Sequence, residues 1–242
     1  MDTMVPMSLV IAKSNSWKMF DQIAKRYDLL NRLLSLDQDE AWRQEIRRHL
    51  PSKNNLQLLD IATGTGDVVL SLVKDNPSIH IAYGIDLAEG MLEIARTKIK
   101  AQGLHSKIMI EKADGQALPF VEGTFDAVTI AFGIRNIPDL RLALLEMYRV
   151  LKKDGRVIIL EFSLPKNVFL RIGHWFYLSI IVPLIGLIVS GHTSAYLYLA
   201  QTIKSFPYGD RFCKILRQFG FINIKAYPLM GGVATIYVAD KG

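Results

Sequence analysis

Between Ser16 and Leu50, apolar residues recur three and four positions apart, at Phe20, Ile23, Ala24, Tyr27, Leu30 and Leu34, with Lys18, Lys25, Arg26 and Arg32 set between them. That period is helical, and it predicts two or three amphipathic helices ahead of the main fold. "LPSKNN" at Leu50–Asn55 then supplies a proline and turn residues. Beyond it the pattern alternates: "LQLLDIA" reads as a strand, Asp67–Lys74 as a helix, "IHIAYGID" as a strand, Ala88–Gln102 as a helix, "KIMIEKAD" and "FDAVTIAF" as strands, Leu140–Leu151 as a helix and "RVIILEFS" as a strand. Strands alternating with helices predict βαβ units and a parallel sheet with both faces covered. The order breaks at Pro165 for an insertion running to about Phe206, after which "CKILRQFGFINIKAYPL" and "GGVATIYVAD" give a helix, a strand and a final strand. The expected fold class is α/β, Rossmann-like, mostly parallel with an antiparallel edge. It forms one domain over 1–242, with an N-terminal helical cap at about 16–50 and a helical lid at about 165–206.

Half of the 242 residues are apolar and 21% are charged, which describes a packed globular chain rather than a disordered one. A mean hydropathy of +0.20 suggests that some apolar surface meets something other than water. The net charge of +6 and pI near 9.3 permit attraction to nucleic acid or an anionic membrane and decide neither. The single Cys213 excludes an internal disulfide framework, and no basic-then-apolar secretory pattern opens the sequence, so a reducing cytoplasmic location is expected. "WFYLSIIVPLIGLIVSG", Trp175–Gly191, is interrupted by Pro183 and Gly186 and reaches only the lower edge of a spanning length. A lid or a surface-dipping segment fits it better.

"LLDIATGTGDVVL" at Leu58–Leu70 sets two glycines and two threonines between apolar runs. A strand-to-helix turn rich in glycine adopts unusual dihedrals and lets a ligand approach the main chain, so Gly64 and Gly66 are expected to face one. Val69 stands where a dinucleotide fingerprint has its third glycine, and no G-K-[ST] follows, which disfavours a pyrophosphate. Asp60 ends the first strand. Asp86 ends the second, where a carboxylate accepts hydrogen bonds from ribose hydroxyls, and Asp114-Gly115 ends the third, placed for an adenine edge.

A glycine turn followed by acids at successive strand ends resembles the class I S-adenosylmethionine-dependent methyltransferases. Three segments sharpen the likeness: "YDLLNRLLSLDQDEAW" (Tyr27–Trp42), "ALPFVEGTFDAVTIAFGIRN" (Ala117–Asn136) and "RVLKKDGRVIILEFS" (Arg149–Ser163). They are similar to the signatures of the menaquinone and ubiquinone biosynthesis C-methyltransferases, the UbiE/MenG family, and the likeness covers nearly the whole chain from about Phe20. It implies a class I methyltransferase fold, S-adenosyl-L-methionine as cofactor, and contacts to it at Thr65, Asp86, Asp114 and Gly115, with Ala131 nearby through its backbone. It also implies methylation of a ring carbon of a polyprenylated quinol precursor, demethylmenaquinol before the ubiquinone-pathway benzoquinol. Asp39 stands where the family usually has histidine, Lys153-Asp154-Gly155 replaces its proline-glycine-glycine, and Ala200-Gln201-Thr202 its proline-glutamate-serine; these bear on substrate detail more than on the cofactor.

Carbon methylation beside a ring hydroxyl needs the phenolate stabilised and the carbon held in line with the methyl. In "FGIRN", Arg135 is assigned to hold the developing phenolate, with a water as proton acceptor, and Asn136 to orient that water or the ring oxygen. The alternative is an ion pair from Arg135 to Asp139 with Asn136 capping the next turn. Among the aromatics, Tyr27 and Tyr196 are assigned to substrate, while Trp175, Phe176, Tyr177 and Tyr198 are read as lid packing. His174 and His192 are lone histidines, and no His/Cys grouping has metal-ligand spacing, so no metal is expected. A polyprenyl tail lives in the bilayer, so peripheral contact with the inner face of the membrane is expected, through basic N-terminal helices and the apolar insertion. Rival readings are a same-fold enzyme for another lipid-like acceptor, a non-catalytic partner, and a nucleic-acid module; the last is disfavoured because the basic residues are spread along amphipathic helices.

Overall fold

The computed structural model describes residues 13–35, 38–181 and 194–242. Two helices come first, α1 (Ser16–Ser35) and α2 (Gln38–Arg48). Helix α1 turns its apolar stripe inward, burying Ile23 and Ala24, while the side chains of Leu30 and Leu34 lie outside the described residues. The alternation then appears as β1 (Leu56–Ile61), α3 (Asp67–Asp75), β2 (Ile79–Asp86), α4 (Glu89–Ala101), β3 (Ile108–Lys112), β4 (Phe125–Ala131), α5 (Leu140–Val150) and β5 (Leu151–Phe162). Strand β5 begins at Leu151 rather than Arg156. Its turn-like Lys-Asp-Gly is absorbed as a bulge, where the register jumps from Phe125 opposite Leu151 to Ala127 opposite Arg156 and Asp154 takes φ 61.

The insertion holds α6 (Val168–Phe176), a single π turn (Tyr177–Ile181) and α7 (Ser194–Ser205); Pro183, Gly186 and His192 lie outside the described residues. Helix α6 buries none of its residues: Trp175 and Phe176, expected to pack under a lid, are exposed, and Phe169 is 84% exposed. Among the described residues no helix is long and apolar enough to cross a membrane. The chain ends with α8 (Asp210–Gln218), β6 (Phe221–Leu229) and β7 (Ala234–Lys241).

The seven strands lie in the order β3-β2-β1-β4-β5-β7-β6. β1 to β5 are parallel, and β7 inserts antiparallel between β5 and β6, as the expected antiparallel edge. One face packs on α5 and α8 through Phe125, Met147, Phe212, Leu216 and Tyr237. The other packs on α2, α3 and α4 through Trp42, Ile46, Val69, Leu72 and Ala95. Strand order reverses at β1 and β4, which end side by side with Ile61 opposite Ile130. In open α/β sheets a ligand crevice opens at that place, beyond the carboxyl ends of the strands.

Candidate active site

Beyond β1 the backbone turns through three residues of positive φ, Ala62 (52), Gly64 (57) and Gly66 (83), and then enters α3. Asp60 anchors this turn from below, accepting hydrogen bonds from the hydroxyls of Thr63 and Thr129 at 2.6 Å each. Burial pushes the Asp60 carboxyl up to about 6 against the pull of those two bonds. Asp86 holds the turn from the side: one oxygen accepts from Gly64 N at 3.0 Å and the other from Ala88 N at 2.9 Å. Burial raises the Asp86 pKa, opposed chiefly by the same two N–H groups. Thr65 donates to Asp28 on α1 at 2.6 Å, and Lys98 on α4 bridges Asp28 and Asp67 at 2.5 and 2.6 Å. Asp21, also on α1, accepts from Gly90 N at 2.6 Å. Helix α1 is therefore strapped by carboxylates across the turn and the start of α4.

The two glycines serve different ends. A Cβ on Gly64 would meet only Tyr27 Cε1, at 3.9 Å, so its backbone is open to a ligand. A Cβ on Gly66 would stand 3.0 Å from the Ala95 Cβ, so the approach of α4 favours glycine there, and Gly66 is not among the residues lining the two cavities described below.

Two adjoining cavities share Phe20, Tyr27, Gly64, Ala131, Phe132 and Asn136 in their walls. The larger, about 360 Å³, runs past Asp86, Leu87, Met91, Asp114 and Gly115. Its walls fit S-adenosyl-L-methionine: a carboxylate whose oxygens keep lone pairs free for ribose hydroxyls, apolar Leu87 and Met91 for a flat base, Asp114 at the third strand end, and the open Gly64 backbone. Lys13 also lines it, and burial lowers its pKa.

The smaller cavity, about 140 Å³, is walled by Trp42, Phe132 and Phe162, whose rings lie 4.4 to 6.3 Å apart. Phe132 takes φ 54 at the end of β4, a strained conformation for a bulky residue and one that clusters at functional sites. Its carbonyl accepts from Arg135 Nη1 and, at 3.4 Å, from Asn136 Nδ2. Arg135 does not pair with Asp139. Its Nη1 donates to Glu161 Oε1 at 2.8 Å and its backbone N to Oε2 at 3.3 Å, while Asp139 caps α5 by accepting from Arg141 N and Leu142 N. Asp139, not Asn136, is therefore the cap of the next helix. Glu161 is fully buried, and burial raises its pKa against the pull of the Arg135 guanidinium. Arg135 Nε, Asn136 Oδ1 and the Tyr198 hydroxyl are shielded from solvent without a hydrogen-bond partner among the described residues.

Of the residues expected from the sequence, Tyr27, Gly64, Thr65, Asp86, Asp114, Gly115, Ala131, Arg135 and Asn136 line these cavities together. Tyr196 is on α7 with its side chain outside the described residues, as is that of Asp39. His174 lies on α6 outside both walls. Sequence reasoning missed Asp28, Trp42, Phe162 and Glu161 and read Tyr198 as packing. Glu161 had a signal, since a carboxylate inside the apolar run "RVIILEF" needs a buried partner.

The model of the ubiE/COQ5 methyltransferase family matches residues 9–241. The ubiquinone/menaquinone biosynthesis C-methyltransferase UbiE of Geotalea uraniireducens is 42% identical over 224 residues, 93% of this chain and 95% of the relative. The demethylmenaquinone methyltransferase of Bacteroides fragilis is 41% identical over 225 residues, 93% of this chain and 91% of that one. Among solved structures, a SAM-dependent methyltransferase of Thermotoga maritima, a possible histamine N-methyltransferase, superposes with a TM-score of 0.66 at 20% identity. That match covers 93% of this chain and 100% of the other, and it shows the fold.

Proposed function

Because the chain belongs to the ubiE/COQ5 methyltransferase family, we propose that it methylates a ring carbon of a polyprenylated quinol in quinone biosynthesis, demethylmenaquinol foremost, with S-adenosyl-L-methionine as methyl donor. One observation carries the reading beyond the family: Asn136 and Phe132 stand in the walls of both cavities, so a site suited to the cofactor opens onto an aromatic slot that ends in polar atoms without a partner among the described residues. A flat hydroxylated ring is the ligand whose faces suit the slot and whose oxygen suits its end.

When bound, the cofactor supplies an electrophilic methyl group. Asp86 holds ribose hydroxyls, Asp114-Gly115 borders the base, and the Gly64 turn and Thr65 carry the amino-acid end, with Ala131 beside it. At the acceptor end, loss of the ring hydroxyl proton sends charge to the neighbouring carbon, which takes the methyl. The hydrogen on that carbon then leaves and the oxygen regains a proton, so one proton is released in all. Because Glu161 balances the Arg135 charge, Arg135 acts as an oriented donor rather than as a free cation. Asn136 orients the ring oxygen.

A tail-bearing acceptor brings the enzyme to the inner face of the membrane. The exposed apolar helix α6, which carries exposed Arg171 and is preceded by exposed Lys166, offers shallow burial and attraction to anionic lipid. Of the N-terminal helices, also expected to serve, α1 carries its apolar stripe against α4 and α2 buries Trp42 and Ile46 in the core.

Radiolabelled methyl transfer to reduced demethylmenaquinone and to the demethylated benzoquinol, side by side, tests the function. Transfer to the naphthoquinol, reduced at least a hundredfold or so in Arg135→Ala, is expected. Cofactor binding without transfer to either ring would overturn the choice of acceptor.

A further inference from the structure

Arg135 reaches the acceptor site already paired, its guanidinium 2.8 Å from a fully buried carboxylate. A balanced ion pair provides little net field, so an oxyanion forming beside it is stabilised mainly by hydrogen bonds pointed at it; Nη1 is already committed to Glu161 and the Phe132 carbonyl, and Nε is the shielded donor without a partner among the described residues. A second donor is therefore to be sought on the same wall.

Tyr198 supplies it. The residue comes from α7, which packs on the 3-10 turn Ile134–Asn136 that carries Arg135 and Asn136. Its side chain lines the aromatic cavity with both of them, and its hydroxyl is buried without a partner among the described residues. The Ser16 hydroxyl donates at 2.8 Å to the Lys13 carbonyl and, close to the phenol, pulls its pKa down against burial. Burial raises the phenol's pKa, so the group stays protonated and able to donate at neutral pH. Three shielded polar atoms on one cavity are what a ligand oxygen, or a water that it displaces, would satisfy.

We propose that the Tyr198 hydroxyl and Arg135 Nε form a donor pair for the acceptor's ring oxygen, with Asn136 Oδ1 accepting the hydrogen of that hydroxyl before it ionises. This rests on the reading of the site as one that methylates a hydroxylated ring. It makes Tyr198 a catalytic residue in contact with substrate rather than a packing residue of the lid. It also makes seating of α7 a condition for the donor pair to form.

The test is Tyr198→Phe in the full chain, a change that keeps the ring and removes only the hydroxyl. Two readouts are compared with the wild type: turnover of reduced demethylmenaquinone, and the pH at which bound 1-naphthol, a ring with one hydroxyl, ionises by absorbance in the presence of S-adenosylhomocysteine. The expected result is a kcat lowered about tenfold and a naphthol ionisation raised by about one pH unit, with affinity for S-adenosylhomocysteine unchanged. Equal kcat and equal ionisation in the two proteins would overturn the proposal. Should the wild type methylate no quinol, the functional reading fails separately, and the naphthol titration still decides whether Tyr198 donates.

Discussion

Asp60 shows how much one buried group can make stability depend on pH. It is 1% exposed beneath the glycine turn, and the hydroxyls of Thr63 and Thr129 at 2.6 Å do not offset the loss of water, so burial pushes its pKa up from 3.8 to about 6. A carboxyl raised in the fold binds its proton more tightly there than in the unfolded chain. Its contribution is fully present below 3.8 and is lost as the pH climbs through about 6. Asparagine has no such proton, so the stability of the wild type relative to Asp60→Asn should fall by about 3 kcal/mol between about pH 4 and about pH 7. Urea unfolding of both proteins at several pH values measures it. A difference that stays level across the range would mean that Asp60 is ionised throughout and that the threonine hydroxyls compensate its burial in full.

At the scale of elements, the turn between β1 and α3 joins sheet, helix and ligand, and its two glycines separate these demands. Gly64→Ala places a methyl in open space at φ 57 and should cost about 1 kcal/mol from the backbone alone, with its larger effect on cofactor affinity. Gly66→Ala carries a similar backbone cost at φ 83 and sets its methyl 3.0 Å from the Ala95 Cβ, so α4 must also give slightly and the loss should reach about 2 to 3 kcal/mol. Thermal unfolding and cofactor titration of the pair check the order; equal losses in both would show that α4 yields. The sequence made the turn legible because glycines and strand-end acids are local signals, readable from spacing. The strap from Asp21 and Asp28 on α1 was not legible, because Asp28 and Thr65 meet only in the fold. Likewise Trp42, Phe132 and Phe162 come from three separate elements and look like ordinary core residues one at a time. Arg135 was found through its motif, but its partner lies on the neighbouring strand β5, whereas proximity in sequence favoured Asp139.

For the whole molecule, the telling asymmetry is where apolar surface is left uncovered. Helix α6 follows directly on β5, whose end carries Glu161 and Phe162, and Leu170 lies within 2.9 Å of where a Cβ on Gly231 would be, at the turn between β6 and β7. The greasy helix thus stands at the same end of the sheet as the site. Val168, Phe169, Ile172 and Phe176 are all more than half exposed, and exposed Lys166 and Arg171 lie among them. A helix that buries no residue of its own and shows this much apolar surface is the segment that the proposed membrane contact would use, since a bilayer holding the acceptor's tail matches both its chemistry and its position. The double variant Phe169→Glu, Phe176→Glu should weaken flotation with phosphatidylglycerol vesicles by about a hundredfold in partition coefficient. Turnover of a tail-bearing quinol in those vesicles should fall with it. Turnover of a short-tailed quinol in solution should be unchanged, because α6 lines neither cavity. Undiminished flotation would remove α6 from the membrane contact, and loss of the soluble activity would mean that the helix shapes the site rather than delivering it to the lipid.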